Sequence, residues 1–133
     1  RYFTDRGKVV ALSASYEQEF TNRLNAINAA DARLADLKRQ IDDAEAALKV
    51  QSAEIERDQQ QLDQFRASGN TSAYNAAVPA FNAKVAAYNQ ALNSLKADIA
   101  EYNRLVEERN ATADELRALN TAIDTRLEPQ TRQ

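Results

Sequence analysis

Carboxylates are the side chains of this chain best suited to chemistry. Asp42, Asp43, Glu45, Glu54, Glu56, Asp58, Glu107 and Glu108 lie along two stretches rich in helix formers. A close pair of them can shuttle a proton or hold a hard cation. The other parts of such a site are missing from the sequence. There is no His and no Cys, so the commonest general base, the thiolate nucleophile and the usual zinc ligands are absent. A carboxylate di-metal site on helices also needs Glu-x-x-His pairs. No glycine-rich phosphate loop and no calcium-loop spacing occurs. Acidic residues alternate with Lys and Arg, as on the solvated face of a coiled coil. The expectation is therefore no catalytic residue, no cofactor, no metal ligand and no enzyme activity.

Charge and hydropathy narrow the partners. Seventeen basic and 20 acidic residues give a formal charge of −3. The basic residues are interspersed rather than gathered into the stripe that a nucleic acid requires. No apolar run approaches the roughly 20 residues of a membrane span, so a membrane is expected only through an anchor outside this segment. The chain has no Met and begins at Arg1, which suggests a segment excised from a larger protein. Arg1, Tyr2 and Phe3 are similar to the basic and aromatic flank of a membrane span.

A second pattern needs more than composition to explain it. Tyr74-Asn75, Phe81-Asn82, Tyr88-Asn89 and Tyr102-Asn103 repeat an aromatic–Asn pair on a seven-residue spacing, and Leu95-Lys96 and Arg109-Asn110 hold the same phase. Asn is a mediocre helix former, so its repetition points to a contact. Asn75, Asn82, Asn89, Asn103 and Asn110 form a longitudinal amide rail beside the aromatic row. Such a rail can bond a partner helix or a second copy. As a simple product of heptad duplication, it bonds the facing helix or water instead. The motif, over about residues 74–110, resembles the Tyr-Asn heptads of uncharacterised bacterial exported or membrane-anchored coiled-coil proteins. The resemblance implies an extracytoplasmic or periplasmic hairpin tethered by a neighbouring transmembrane segment, with a cytoplasmic location as the alternative. The first half of the chain lacks the motif.

The elements that position these residues are legible from periodicity. Ile27, Leu34, Ile41, Leu48, Ile55 and Leu62 form one heptad row, with Ala30, Leu37, Ala44, Gln51, Asp58 and Phe65 three residues on. Val78, Val85, Leu92, Ile99 and Val106 form a second row, beside Tyr74, Phe81, Tyr88, Leu95 and Tyr102. Seams sustained this long specify an all-α, two-helix antiparallel coiled-coil hairpin. The expected boundaries are an irregular entry at 1–8, where Gly7 can break a helix, and a helix over about 9–66. A turn follows at 67–72, then a helix over about 73–127 kinked near Pro79, and a tail at 129–133 after the Glu128-Pro129 stop. Each helix is about 55 residues, or roughly 80 Å.

Ser68, Gly69, Asn70 and Thr71 form the tip. Gly69 and Asn70 suit a helix C-terminus, and Thr71 and Ser72 are N-cap candidates. A pivot there pairs residues whose numbers sum to about 140. Leu62 then meets Val78, Ile55 meets Val85, Leu48 meets Leu92, Ile41 meets Ile99 and Leu34 meets Val106. Toward the open end Leu24 meets Leu116, Tyr16 meets Ile123 and Leu12 meets Leu127. The polar members of the seam also find partners: Gln51 falls near Tyr88, where its amide can bond the phenol, and Arg109 falls near Asp31. Asp58 falls less comfortably beside Phe81 and Asn82.

A helix pair buries one stripe of each helix, so a homo-oligomer is expected, most simply a dimer of hairpins in a four-helix bundle. The functional expectation is a structural rod or spacer of a larger bacterial protein, acting through self-association or protein contact. The alternative is a docking adaptor or periplasmic chaperone-like arm that binds through its tip. The Arg, Leu and Ser spacing of pump-adaptor tips is absent from residues 62–75.

Overall fold

The computed structural model describes the backbone of residues 2–131 and the side chains of residues 6–124. Helix α1 runs over Tyr2–Ala67 and helix α2 over Thr71–Thr131. The two pack against each other as an all-α helical hairpin. By Cα proximity the chain divides into two units. One comprises Arg1–Ala35 with Asn103–Gln133, and the other Asp36–Tyr102.

The boundaries correct the sequence reading at both ends. The expected irregular entry at 1–8 is helical from Tyr2, with Gly7 inside the helix. A single helical glycine costs about 1 kcal/mol relative to Ala, too little to stop a helix flanked by good formers. At the other end α2 passes Pro129 and closes at Thr131, because Pro129 removes one N–H from a helix with only two residues left to run. Pro79 likewise lies within α2, near its start.

The tip is tighter than expected, with only Ser68, Gly69 and Asn70 between the helices. Gly69 has φ +72°. Asn70 N donates to Phe65 O at 2.9 Å and Gly69 N to Arg66 O at 3.1 Å. This 6→1 and 5→2 pair is a Schellman cap, which satisfies carbonyls that the helix end leaves open. Asn70 also serves α2: its Oδ1 accepts from Ala73 N at 3.2 Å. The N-cap is thus Asn70 rather than Thr71 or Ser72, because the Schellman cap ends at the residue from which α2 can start. Gly69→Ala should lower stability by roughly 1–2 kcal/mol, since a Cβ in the left-handed region is strained. Space is not the cause, as nothing lies within 4 Å of a built Cβ. Urea unfolding followed by circular dichroism measures the loss, and an unchanged midpoint would refute the role given to the glycine.

Within Asp36–Tyr102 the core is Leu37, Leu48, Leu62 and Leu95, with Leu37 fully buried. Within the other unit Ile27 is the buried apolar residue among those described, while Val9, Val10, Leu12 and Leu24 are exposed. Leu24, which the register pairs with Leu116, is 41% exposed, beside Arg23 in the seam row. The side chain of Leu127 lies outside the described residues, as do those of Tyr2 and Phe3.

The buried stripe of α1 follows the two rows read from the sequence. That of α2 is wider by one row: Ala77, Lys84, Ala91, Leu105, Thr112 and Leu119 are also partly covered. These sit four residues before the aromatic row, so α2 is rotated about its axis toward them. The rotation explains a correction in the expected core. Ile99, on the opposite border of the stripe, is 37% exposed.

Candidate interaction surface

Register is set by polar contacts as well as by the seam. In the unit containing both chain ends, Arg109 Nε donates to Asp31 Oδ1 at 2.9 Å. Their numbers sum to 140, and the pair is the one suggested by the sequence. Arg23 Nε donates to Glu115 Oε2 at 3.1 Å, and Arg23 also holds Glu19 one turn back. Hydrogen bonds from Arg109 to Asp31, and from Arg23 to Glu19 and then Glu115, raise both guanidinium pKa values.

In the unit Asp36–Tyr102 the polar layer is built differently from expectation. Lys84 Nζ donates to Asp58 Oδ2 at 2.7 Å and to Glu54 Oε1 at 2.9 Å. Asp58 is thus not stranded beside Phe81 and Asn82. Lys84 reaches it from the extra buried row of α2. The same arithmetic that paired the apolar layers contains this signal, because Lys84 with Glu54 and with Asp58 sums to 138 and 142, straddling the pivot. The row of Lys84 lies outside the two-row seam that apolar spacing defines.

The hydrogen bond to Asp58, then that to Glu54, raises the Lys84 pKa. A raised pKa means that the folded chain holds the proton more tightly than the unfolded one. The contribution is complete below the ordinary lysine range and is lost as pH rises through the folded value. Lys84→Gln should therefore lower the melting temperature modestly at neutral pH and flatten the alkaline loss of stability. Molar salt should shrink the difference, because the cluster is solvent-accessible and screened. Melting curves at neutral and alkaline pH, in low and high salt, test this. A difference between variant and wild type that is independent of both conditions would remove the electrostatic account.

Gln51 departs from expectation in a different way. Its Oε1 is buried and lacks a hydrogen-bond partner, so the bond to the Tyr88 phenol is not formed. Tyr88 itself is partly buried.

The amide rail lies outside the seam altogether. Asn75, Asn82, Asn89, Asn103 and Asn110 are all exposed. Among the described residues, none of the five hydrogen-bonds through its side chain to the facing helix or to its own. The tip differs, because its polar groups are engaged internally. Ser68 Oγ donates to Phe65 O, Asn70 caps α2, and Arg66 lies over the Tyr74 ring at 5.5 Å while donating to its hydroxyl. A shallow open groove of about 430 Å³ runs past Ala26, Ala29, Ala30, Leu105 and Thr112, with Arg33, Glu108 and Arg109 at its margins. Small side chains leave it open, and Arg109 there is already bonded to Asp31.

Among the described residues no group of three or more potential metal-ligating side chains converges. No helix is long and apolar enough to cross a membrane. Comparison with known proteins gives no match: no family model fits the chain, and no curated protein or solved structure is significantly similar to it.

Proposed function

We propose that this chain is a non-catalytic structural and interaction module, a coiled-coil spacer of a larger bacterial protein that acts by self-association. The observation that carries the reading is the amide rail. Five Asn side chains at heptad phase stand exposed without an intramolecular hydrogen bond. Each offers donors and an acceptor, in a residue type that a helix does not favour for its own stability. A ladder that merely stapled α1 to α2 would form bonds between the helices, and none is formed among the described residues. The fold also leaves few side chains well covered, with five apolar residues buried among those described. Association of hairpins covers more.

Binding through the tip, as an adaptor or chaperone-like arm, has less support, because the Ser68 and Asn70 side chains of the tip serve as caps to its own helices. An extracytoplasmic, membrane-tethered location rests on the resemblance of the Tyr-Asn heptads alone.

Light scattering over a range of concentrations tests the reading. The expected mass is a multiple of 14.8 kDa that falls on dilution. Replacing Asn82, Asn89 and Asn103 together by Ala should shift that dissociation to higher concentration. A single-hairpin mass at every concentration would sink self-association. An oligomer indifferent to the triple replacement would remove the rail from it.

A further inference from the structure

We propose that the exposed face of α2 between Ala76 and Ala97 is a contact surface for a second copy of this chain, related to the first by a two-fold axis. The proposal rests on the self-association reading and adds to it the face that meets.

The first observation is a gap in charge. From Ser68 to Leu95 the chain carries one charged residue, Lys84, and that residue is held by Glu54 and Asp58 of α1. In the same unit, α1 from Ile41 to Phe65 carries seven carboxylates and two basic residues, a net charge of −5. Two helices of one hairpin thus face solvent with opposite character. A water-facing helix surface ordinarily carries charges of both signs. Depletion of charge is the mark of an interface core.

The second observation is what fills the gap. Ala76, Ala80, Ala83, Ala87, Ser94 and Ala97 are all exposed and recur at alternating four- and three-residue steps, with the step at Gln90 completing the row. This is a second heptad seam, of small residues, on the side of α2 turned away from α1. Asn75, Asn82 and Asn89 are exposed as well, each one residue before a member of the row and so about 100° further round the helix.

Charge selects the occupant. The chain is net negative, so copies meeting through α1 bring carboxylates together, and copies meeting through this face of α2 do not. The small side chains of the row meet their own images across a two-fold axis, as an isologous interface requires. A different protein chosen by charge would find nothing here to read.

The test uses the full chain. Ala83→Glu with Ala87→Glu places charge on the face, and Ala46→Glu with Ala53→Glu places the same charge on exposed positions of α1. Glu is a good helix former, and circular dichroism checks that both variants remain folded. In sedimentation equilibrium the α2 variant should dissociate at concentrations about tenfold or more above wild type, because like charges are set opposite each other, while the α1 variant should match wild type. The chain has no Cys, which permits a second measurement. Ala87 lies at the midpoint of the face and meets its own image whether the paired helices run parallel or antiparallel. Ala87→Cys should form a disulfide-linked dimer under mild oxidation, and Ala46→Cys should not. An oligomer that ignores the α2 charges and gives no Ala87→Cys cross-link would overturn the face while leaving self-association standing. A wild-type chain that stays at single-hairpin mass throughout would overturn both.

Discussion

Leu37→Ala should destabilise the hairpin by about 2–5 kcal/mol, the range for removing a large aliphatic side chain from a filled core. Leu37 is the described side chain with no exposure at all. Its neighbours along the helix show why the effect concentrates there. Ala30 and Ala44 occupy the same row one heptad away on either side, so truncation leaves three successive alanines where one leucine had filled the layer. A long helix pair also relaxes poorly across a single layer, because adjacent layers are pinned by Leu34 and Ile41 in the companion row. The same change at Leu24, 41% exposed, should cost clearly less, since a large part of its surface is already in water. Urea unfolding of both variants decides the matter. Equal losses at the two positions would mean that the core is not where burial places it.

The comparison of Leu37 with Ile99 shows how far the sequence could reach. Heptad spacing identified both as seam residues, together with the turn between the helices and the pivot near 140. Spacing reports which residues share a face, and it says little about how the face is rotated toward its partner. That rotation is set by side chains of both helices together, here by Lys84 reaching Asp58 and Glu54 and by small residues such as Ala77 and Ala91 that let α2 turn. Leu37 therefore ends fully covered and Ile99 ends at the border. The Asp31–Arg109 pair was legible because both residues sit where the register arithmetic looks. Lys84 obeys the same arithmetic but belongs to a row that apolar spacing does not mark. The Asn70 cap was missed for a local reason, because one residue terminates α1 and starts α2, whereas the sequence reading assigned those tasks to different residues. The exposure of the Asn rail followed from its heptad phase, while its lack of intramolecular bonds required coordinates.

Gln51→Met should raise stability by about 1–3 kcal/mol, the desolvation penalty of a buried polar atom left without a partner. Gln51 occupies the row of Leu37 and Ala44, and its Oε1 is buried and unbonded. Met keeps the unbranched length and fills irregular space, so the substitution removes the amide with little change of volume. The gain should come with a loss of specificity. A single polar residue in an apolar seam penalises every register in which it meets a worse environment, at a cost to the native one. Gln51 and Tyr88 share a layer by register, their numbers summing to 139. Two measurements separate the possibilities. If the strain is real, Gln51→Met unfolds at higher urea concentration, and Tyr88→Phe changes little because no bond to the phenol exists to lose. If Gln51→Met is instead destabilising and Tyr88→Phe is equally so, with a coupling energy in the double variant, the amide and the phenol are bonded in solution. In that case the seam contains a satisfied polar layer, and register is held by a bond rather than by a penalty on its alternatives.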